Sequence, residues 1–154
     1  MGSYTRLTYH IVFGTKCRRP VIGPEEQPRL YEYMGGILRA NKGHSIEIGG
    51  VRDHVHILAE LSPAIALADV LRSLKAGSSK WINEQAKWTQ NFQWQKGYSA
   101  FTVSYSHRET VRKYIQNQEK HHRKKTFQEE YIDLLKRHNI EFRLDFLFED
   151  EHTG

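Results

Sequence analysis

Along the first 105 positions the apolar residues change period in a fixed order: two, then 3.6, then two, then 3.6, then two. Few architectures accept that order. In "YTRLTYHIVFG", residues 4–14, Leu7, Tyr9, Ile11 and Phe13 share one face while Thr8, His10 and Val12 share the other, which predicts a strand. "KCRRP" follows as a loop. A helix is expected over 24–42, with Pro24 in its first turn, Leu30, Met34, Ile37 and Leu38 at helical spacing, and Gly43 as its stop. Gly35 and Gly36 oppose it by about 1 kcal/mol each relative to alanine. "SIEIGGVRDHVHILAEL" reads as two strands, 45–50 and 53–61, joined near Gly49-Gly50. Ser62-Pro63 opens a second helix with a buried stripe of Leu67, Val70, Leu71, Leu74, Trp81 and Ile82, while Arg72, Lys75, Lys80 and Lys87 lie on more open faces. "GYSAFTVSY", 97–105, closes the series as a strand. The β-α-β-β-α-β order predicts an α+β, ferredoxin-like fold: a four-stranded antiparallel sheet with two helices on one face.

Further helices are expected beyond the sheet. Ser106 with Glu109 has the capping-box pattern, and so does Thr126 with Glu129, which opens a helix running to about 137 and ending near Asn139. The tail "IEFRLDFLF" alternates with period two through Ile140, Phe142, Leu144, Phe146 and Phe148, which predicts an extended segment laid on the body. Nothing repeats and no Pro/Gly-rich linker interrupts the chain, so residues 1–154 are expected to form one domain.

Hydrophobic residues make up 38% and charged residues 27%, an ordinary soluble balance, and no apolar run approaches the length of a membrane span. Cys17 is the only cysteine, which excludes an internal disulfide and suits a cytoplasmic protein. The net charge of +5 suits a polyanionic partner. Basic residues gather at "KCRR" (16–19) and "HHRKK" (121–125) and recur along 72–87, although each cluster alone also describes a solvated face.

In "VRDHVHIL", 51–58, His54 and His56 stand two residues apart on a strand and therefore point the same way, with Val55 opposite. Two imidazoles at that spacing can converge on one cation, but a third donor must come from elsewhere. Alone, the pattern more often marks two exposed or hydrogen-bonded histidines on a sheet surface. His121 and His122 are adjacent on a helix and should diverge, and His10 is expected to be structural. His44, His107, His138 and His152 are expected at turns, caps or the surface. Downstream, "YIQNQ", 114–118, puts Tyr114 and Gln118 four residues apart, on one helix face, where they also fit a packing stripe with Val111 and Ile115. The basic run "EKHHRKK" after Gln118 is not something such a stripe requires. Beside a tyrosine hydroxyl it is expected to hold a phosphodiester and favour the phenolate over a phenol of ordinary pKa about 10.

Together these segments resemble the HUH-type single-tyrosine transposases of the smallest bacterial insertion sequences (IS200-like). "DHVHIL" is similar to the HUH motif, "YIQNQ" to the Y-x-x-x-Q tyrosine helix, and "YHIVFGTKCRRPVI" to the family's opening; the likeness covers roughly 4–138. One departure is Arg52, which stands before Asp53 where a proline is common. The resemblance implies one divalent metal, Mg²⁺ or Mn²⁺, on His54, His56 and Gln118, and Tyr114 as the nucleophile. Attack on a DNA phosphodiester would give a 5′-phosphotyrosine link and a free 3′-hydroxyl, and a second 3′-hydroxyl would then rejoin the strand. It also implies single-stranded DNA, with hairpins at element ends, as partner, and a homodimer in which the tyrosine acts in cis or in trans. Arg18, Arg19, Lys75, Lys80, Lys124 and Lys125 are candidate phosphate contacts, and Trp81 or Trp88 candidate base-stacking platforms.

Three other readings stay open. An RNA-recognition motif shares the element order, and "KGYSAFTV" begins like its aromatic octamer, but Ser99 and Ala100 put the stacking phenylalanine out of register. A metallohydrolase would use His54 and His56 but lacks an evident third ligand. A domesticated relative would keep the nuclease and act on host repeat hairpins.

Overall fold

The computed structural model describes residues 2–85 and 91–148. Its sheet has four antiparallel strands: β1 (Thr8–Gly14), β2 (His44–Val51), β3 (His54–Glu60) and β4 (Ser99–Thr102), in the spatial order β2-β3-β1-β4. With α1 (Gln27–Ala40) and α2 (Leu67–Glu84) inserted between strands, this is the ferredoxin-like arrangement the periodicities predict. Alternation along the strands sends Ile11, Phe13, Val55, Ile57 and Ala59 into one core with Leu30, Met34 and Leu38 of α1 and Val70, Leu71, Leu74 and Ile82 of α2. The opposite face carries His10, Val12, His54 and His56. It is covered by α3 (Arg108–Gln116), the single turn α4 (Gln118–His121) and α5 (Phe127–Arg137), with Val12 and Phe101 packed on Phe127, Tyr131, Leu134 and Leu135. No helix among the described residues is long and apolar enough to cross a membrane.

Several element ends differ from expectation, each for a local reason. The first turn of α1 holds Pro28 and not Pro24, and the helix is ended by Asn41 and by Lys42 at φ 63°, ahead of Gly43. In α2 the first residue is Leu67, with Ala66 at the cap, so Ser62-Pro63 belongs to the approach. The Ser106–Glu109 capping box is absent: the Ser106 hydroxyl lies beside Ser104 and His107, and the chain enters α3 through a tight turn at Tyr105–His107. The Thr126–Glu129 box is formed at α5, and Asn139 follows that helix at φ 54°. The tail is not extended: one helical turn, α6 (Leu144–Leu147), lets Phe142, Leu147 and Phe148 reach the α5 cluster while Leu144 and Phe146 stay exposed.

Gly49 and Gly50 do not make the hairpin turn. They lie inside β2, paired with His56 and Val55, and the turn falls at Arg52-Asp53. Their small size serves close approach. A Cβ on Gly49 would stand 2.6 Å from the Ile115 carbonyl oxygen and 2.9 Å from its Cγ2. A Cβ on Gly50 would collide with the His54 carbonyl. Gly49 thus sets how near α3, the helix bearing Tyr114, comes to the strand pair. Gly49→Ala is expected to lower stability by about 1–3 kcal/mol and to reduce any activity that depends on Tyr114, measured by thermal melting beside an assay of the same sample. Full stability in Gly49→Ala would show that the α3–β2 distance is not set here.

Candidate active site

The register that pairs Val12 with His56 and Gly14 with His54 places both imidazoles at the centre of the helix-covered face, fully buried. Each is oriented from behind. The His54 Nδ1–H donates to Asp53 Oδ1 at 2.7 Å, and His56 Nδ1 lies 2.8 Å from His10 Nε2. The Phe127 ring stacks on His54 with centroids 4.4 Å apart. Both Nε2 atoms therefore point forward into one space.

A carboxylate stands in that space. Glu130, in the first turn of α5, is 2% exposed, and its Oε1 lies 2.9 Å from His56 Nε2, 3.0 Å from His122 Nε2 and 3.3 Å from His54 Nε2. Its Oε2 accepts the Tyr114 hydroxyl and, at 3.1 Å, the amide Nε2 of Gln118. The Oε1 of Gln118 in turn lies 3.0 Å from His54 Nε2. Tyr114 and Gln118 thus converge as the i, i+4 spacing predicts, although Asn117 separates α3 from α4. His121 and His122, expected to diverge, both reach the same carboxylate, because α4 ends at His121 and the chain turns at His122, whose Nδ1–H donates to the Lys125 carbonyl.

Charge follows from these neighbours. Burial pulls the pKa of His54 down, but the carboxylates of Asp53 and Glu130 outweigh it and lift the group to about 9. Burial lowers His56 to about 4 and His10 to about 3. Burial works against the Glu130 anion, yet hydrogen bonds from His122, His54 and His56 hold it far below the usual carboxylate range. The Tyr114 phenol is pushed above its ordinary value, by burial first and by Glu130 second, while Gln118 and Arg137 oppose more weakly. The basic run after Gln118 therefore does not favour the phenolate as expected; the carboxylate it faces wins.

The donor set fits a divalent cation. One ligand atom from each of His54, His56, His122 and Glu130 lies within 4.8 Å of all the others. A neutral His10 can accept the His56 Nδ1–H, as Asp53 accepts from His54, so a cation that displaced the Nε2 protons facing Glu130 would meet both Nε2 atoms; such outer partners are what ligating histidines ordinarily have. Gln118 Oε1 is a further oxygen donor at the same place.

The six candidate phosphate contacts are not brought together. Arg18 and Lys125 line a cleft of about 480 Å³ beside His122, together with Arg52, Arg123, Asp53 and Glu119. Lys125 also pairs with Asp133. Arg19 and Lys124 are exposed nearby in sequence, whereas Lys75 and Lys80 sit on α2, across the sheet. The Lys75 ammonium donates to the carbonyls of Gln95 and Gly97. Trp81 is stacked on Tyr33 and covered by the Arg29 guanidinium; Trp88, Lys87 and His152 lie outside the described residues. Sequence reasoning missed Glu130 and His122. The available signal was a charged residue inside the stripe Phe127, Tyr131, Leu134, Leu135, since a buried acid requires partners.

A ferredoxin-like sheet with a paired-histidine strand and a tyrosine-bearing helix meeting at one buried centre is the architecture of single-tyrosine HUH enzymes. Residues 3–118 match the family described as transposase, IS200 like. The chain is 28% identical over 123 residues to the ISDra2 transposase TnpA of Deinococcus radiodurans, spanning 76% of this chain and 87% of that protein. It is 27% identical over 115 residues to the transposase for insertion sequence element IS200 of Salmonella typhimurium, spanning 71% and 75%. A transposase structure from Deinococcus radiodurans superposes with a TM-score of 0.60 at 27% identity, over 77% of this chain and 95% of that one. A REP-associated tyrosine transposase bound to a REP hairpin shares the fold, with a TM-score of 0.60 at 15% identity over 79% and 74%. The chain belongs to the IS200-like transposase family, the single-tyrosine HUH transposases.

The shifted histidines give a pH profile for the metal-free protein, kept so with a chelator. His10 and His56, held below 6.5, contribute stability above that value and lose it as pH falls toward 4 and 3. His54, raised to about 9, contributes fully below 6.5 and fades as pH rises toward 9. Urea midpoints are expected to peak near pH 6.5 and decline on both sides, and His54→Asn should flatten the alkaline limb. An unchanged alkaline limb in that variant would place its origin elsewhere.

Proposed function

We propose that residues 1–154 act as one HUH transposase domain that nicks single-stranded DNA through Tyr114 and transfers the strand. The observation that carries this reading is the convergence of the Tyr114 hydroxyl with the His54–His56 pair, through Glu130, inside a single chain. His54, His56 and Gln118 are read as donors to a divalent cation, Mg²⁺ or Mn²⁺, joined by His122 and Glu130. Imidazoles suit Mn²⁺ at least as well as Mg²⁺. Held there, such a cation would offset charge on the non-bridging oxygens of the scissile phosphate.

The protein's part is placement. The Tyr114 oxygen attacks phosphorus, the P–O3′ bond breaks, and the proton lost by the phenol is balanced by one gained at the 3′ oxygen. A 3′-hydroxyl then reverses the step and releases the tyrosine, so no external energy source is needed. Arg18, Arg52, Arg123 and Lys125 make the cleft beside the centre the favoured path for the strand, with Arg19 and Lys124 next to it. Lys75 and Lys80 would engage only DNA that wraps to the α2 side. The solved REP-associated transposase holds a hairpin, so hairpin-bearing single strands are the first substrates to test. A domesticated role on host repeats uses the same chemistry and differs only in the sequence cut. A homodimer remains part of the proposal, with each tyrosine serving its own chain.

Incubation with end-labelled single-stranded DNA and Mn²⁺ is expected to give a covalent protein–DNA adduct that Tyr114→Phe abolishes. Binding without adduct under every divalent metal would instead favour a recognition module. Mixing Tyr114→Phe with His54→Ala protein is expected to restore nothing; recovered adduct in the mixture would show that the tyrosine crosses to a partner.

A further inference from the structure

The two oxygens of Glu130 face different groups. Oε1 meets three imidazole nitrogens within 2.9–3.3 Å, while Oε2 meets the Tyr114 hydroxyl and the Gln118 amide, with His121 Nε2 farther off at 3.4 Å. A carboxylate present only to offset a nearby imidazolium has no need of this division. The placement is well fixed: Phe127, Tyr131 and Leu134 anchor α5 on the sheet, and the Thr126–Glu129 capping box sets the first turn from which Glu130 projects. The segment matched to the family ends at Gln118, so this carboxylate lies outside it.

We propose that Glu130 is both a cation ligand and the positioning residue for the nucleophile, with Oε1 completing the donor set of His54, His56 and His122 and Oε2 holding the Tyr114 hydroxyl beside it. One rigid carboxylate then fixes the distance between cation and phenol, and a side chain on α5 ties α3 to β3. The arrangement works within one chain and requires nothing from a second copy. It rests on the transposase reading for its second half, since only an enzyme that uses Tyr114 needs the phenol held there.

The test uses the full chain and two readouts. Mn²⁺ affinity without DNA, by calorimetry, is expected to fall about tenfold or more in Glu130→Gln and to stay at the wild-type value in Glu32→Gln, exposed on α1 across the sheet. At saturating Mn²⁺, the single-turnover rate of adduct formation in Glu130→Gln should drop about a hundredfold, with the DNA concentration for half-saturation within about threefold of wild type. A merely structural role would lower the melting temperature and leave both readouts in place. Wild-type Mn²⁺ affinity, or a wild-type rate at saturating metal, in folded Glu130→Gln overturns the proposal. Should that variant not fold, Glu130→Asp retracts the carboxylate by one methylene while keeping its charge, and the same two losses are expected of it. If wild-type protein forms no adduct with any strand, the transposase reading fails while the calorimetric arm still decides the ligand role. If wild type reacts and Glu130→Gln matches it, this inference alone fails.

Discussion

A buried carboxylate surrounded by imidazoles is the interaction on which the helix-covered face depends. An ionised acid stripped of water is tolerated only when its oxygens are fully engaged, and removing one member of such a set typically costs about 3–5 kcal/mol. Glu130 meets that condition through His54, His56, His122, Tyr114 and Gln118. These residues come from β3, α3, α4, the turn after it and α5, so satisfying one charge draws α3, α4 and α5 onto the sheet. The same contacts that hold the fold also bring the chemistry together.

The sheet keeps two tasks apart. One face is ordinary core, with Ile11, Phe13, Val55 and Ile57 against α1 and α2. The other is polar at its centre and apolar at its margin, where Val12 and Phe101 meet α5. The two-residue period of β3 makes this possible, since Val55 and Ile57 anchor the strand while His54 and His56 stay available. Gly49 of β2 lets α3 ride low enough for a helix-borne phenol to reach that centre. Behind each imidazole a different partner does the same job: Asp53 for His54, neutral His10 for His56.

Much of this was legible beforehand because it depends on local pattern. Strand alternation, the helical stripes of α1 and α2, the shared face of His54 and His56 and the spacing of Tyr114 and Gln118 are all properties of short windows. Misreadings arose where a residue's reason lies far away in the chain. Gly49-Gly50 looks like a turn until Ile115 is placed above it, and His122 looks divergent until the helix stops one residue earlier. Glu130 reads as an ordinary acidic first-turn residue beside a good cap; only the long-range fold reveals the imidazoles in front of it. The phenol was assigned the wrong electrostatic neighbour for the same reason. The tail's alternation misled because Phe142, Leu147 and Phe148 reach α5 through a helical turn and not along a strand.

The groups of the centre enter the chain in a telling order: the imidazole pair first, the phenol and carboxamide some sixty positions on, and the carboxylate of Glu130 last. A ribosome-bound nascent chain carries the histidines and the tyrosine for a time without the acid that gathers them. The polar centre of the helix-covered face is therefore complete only after α5 has been made.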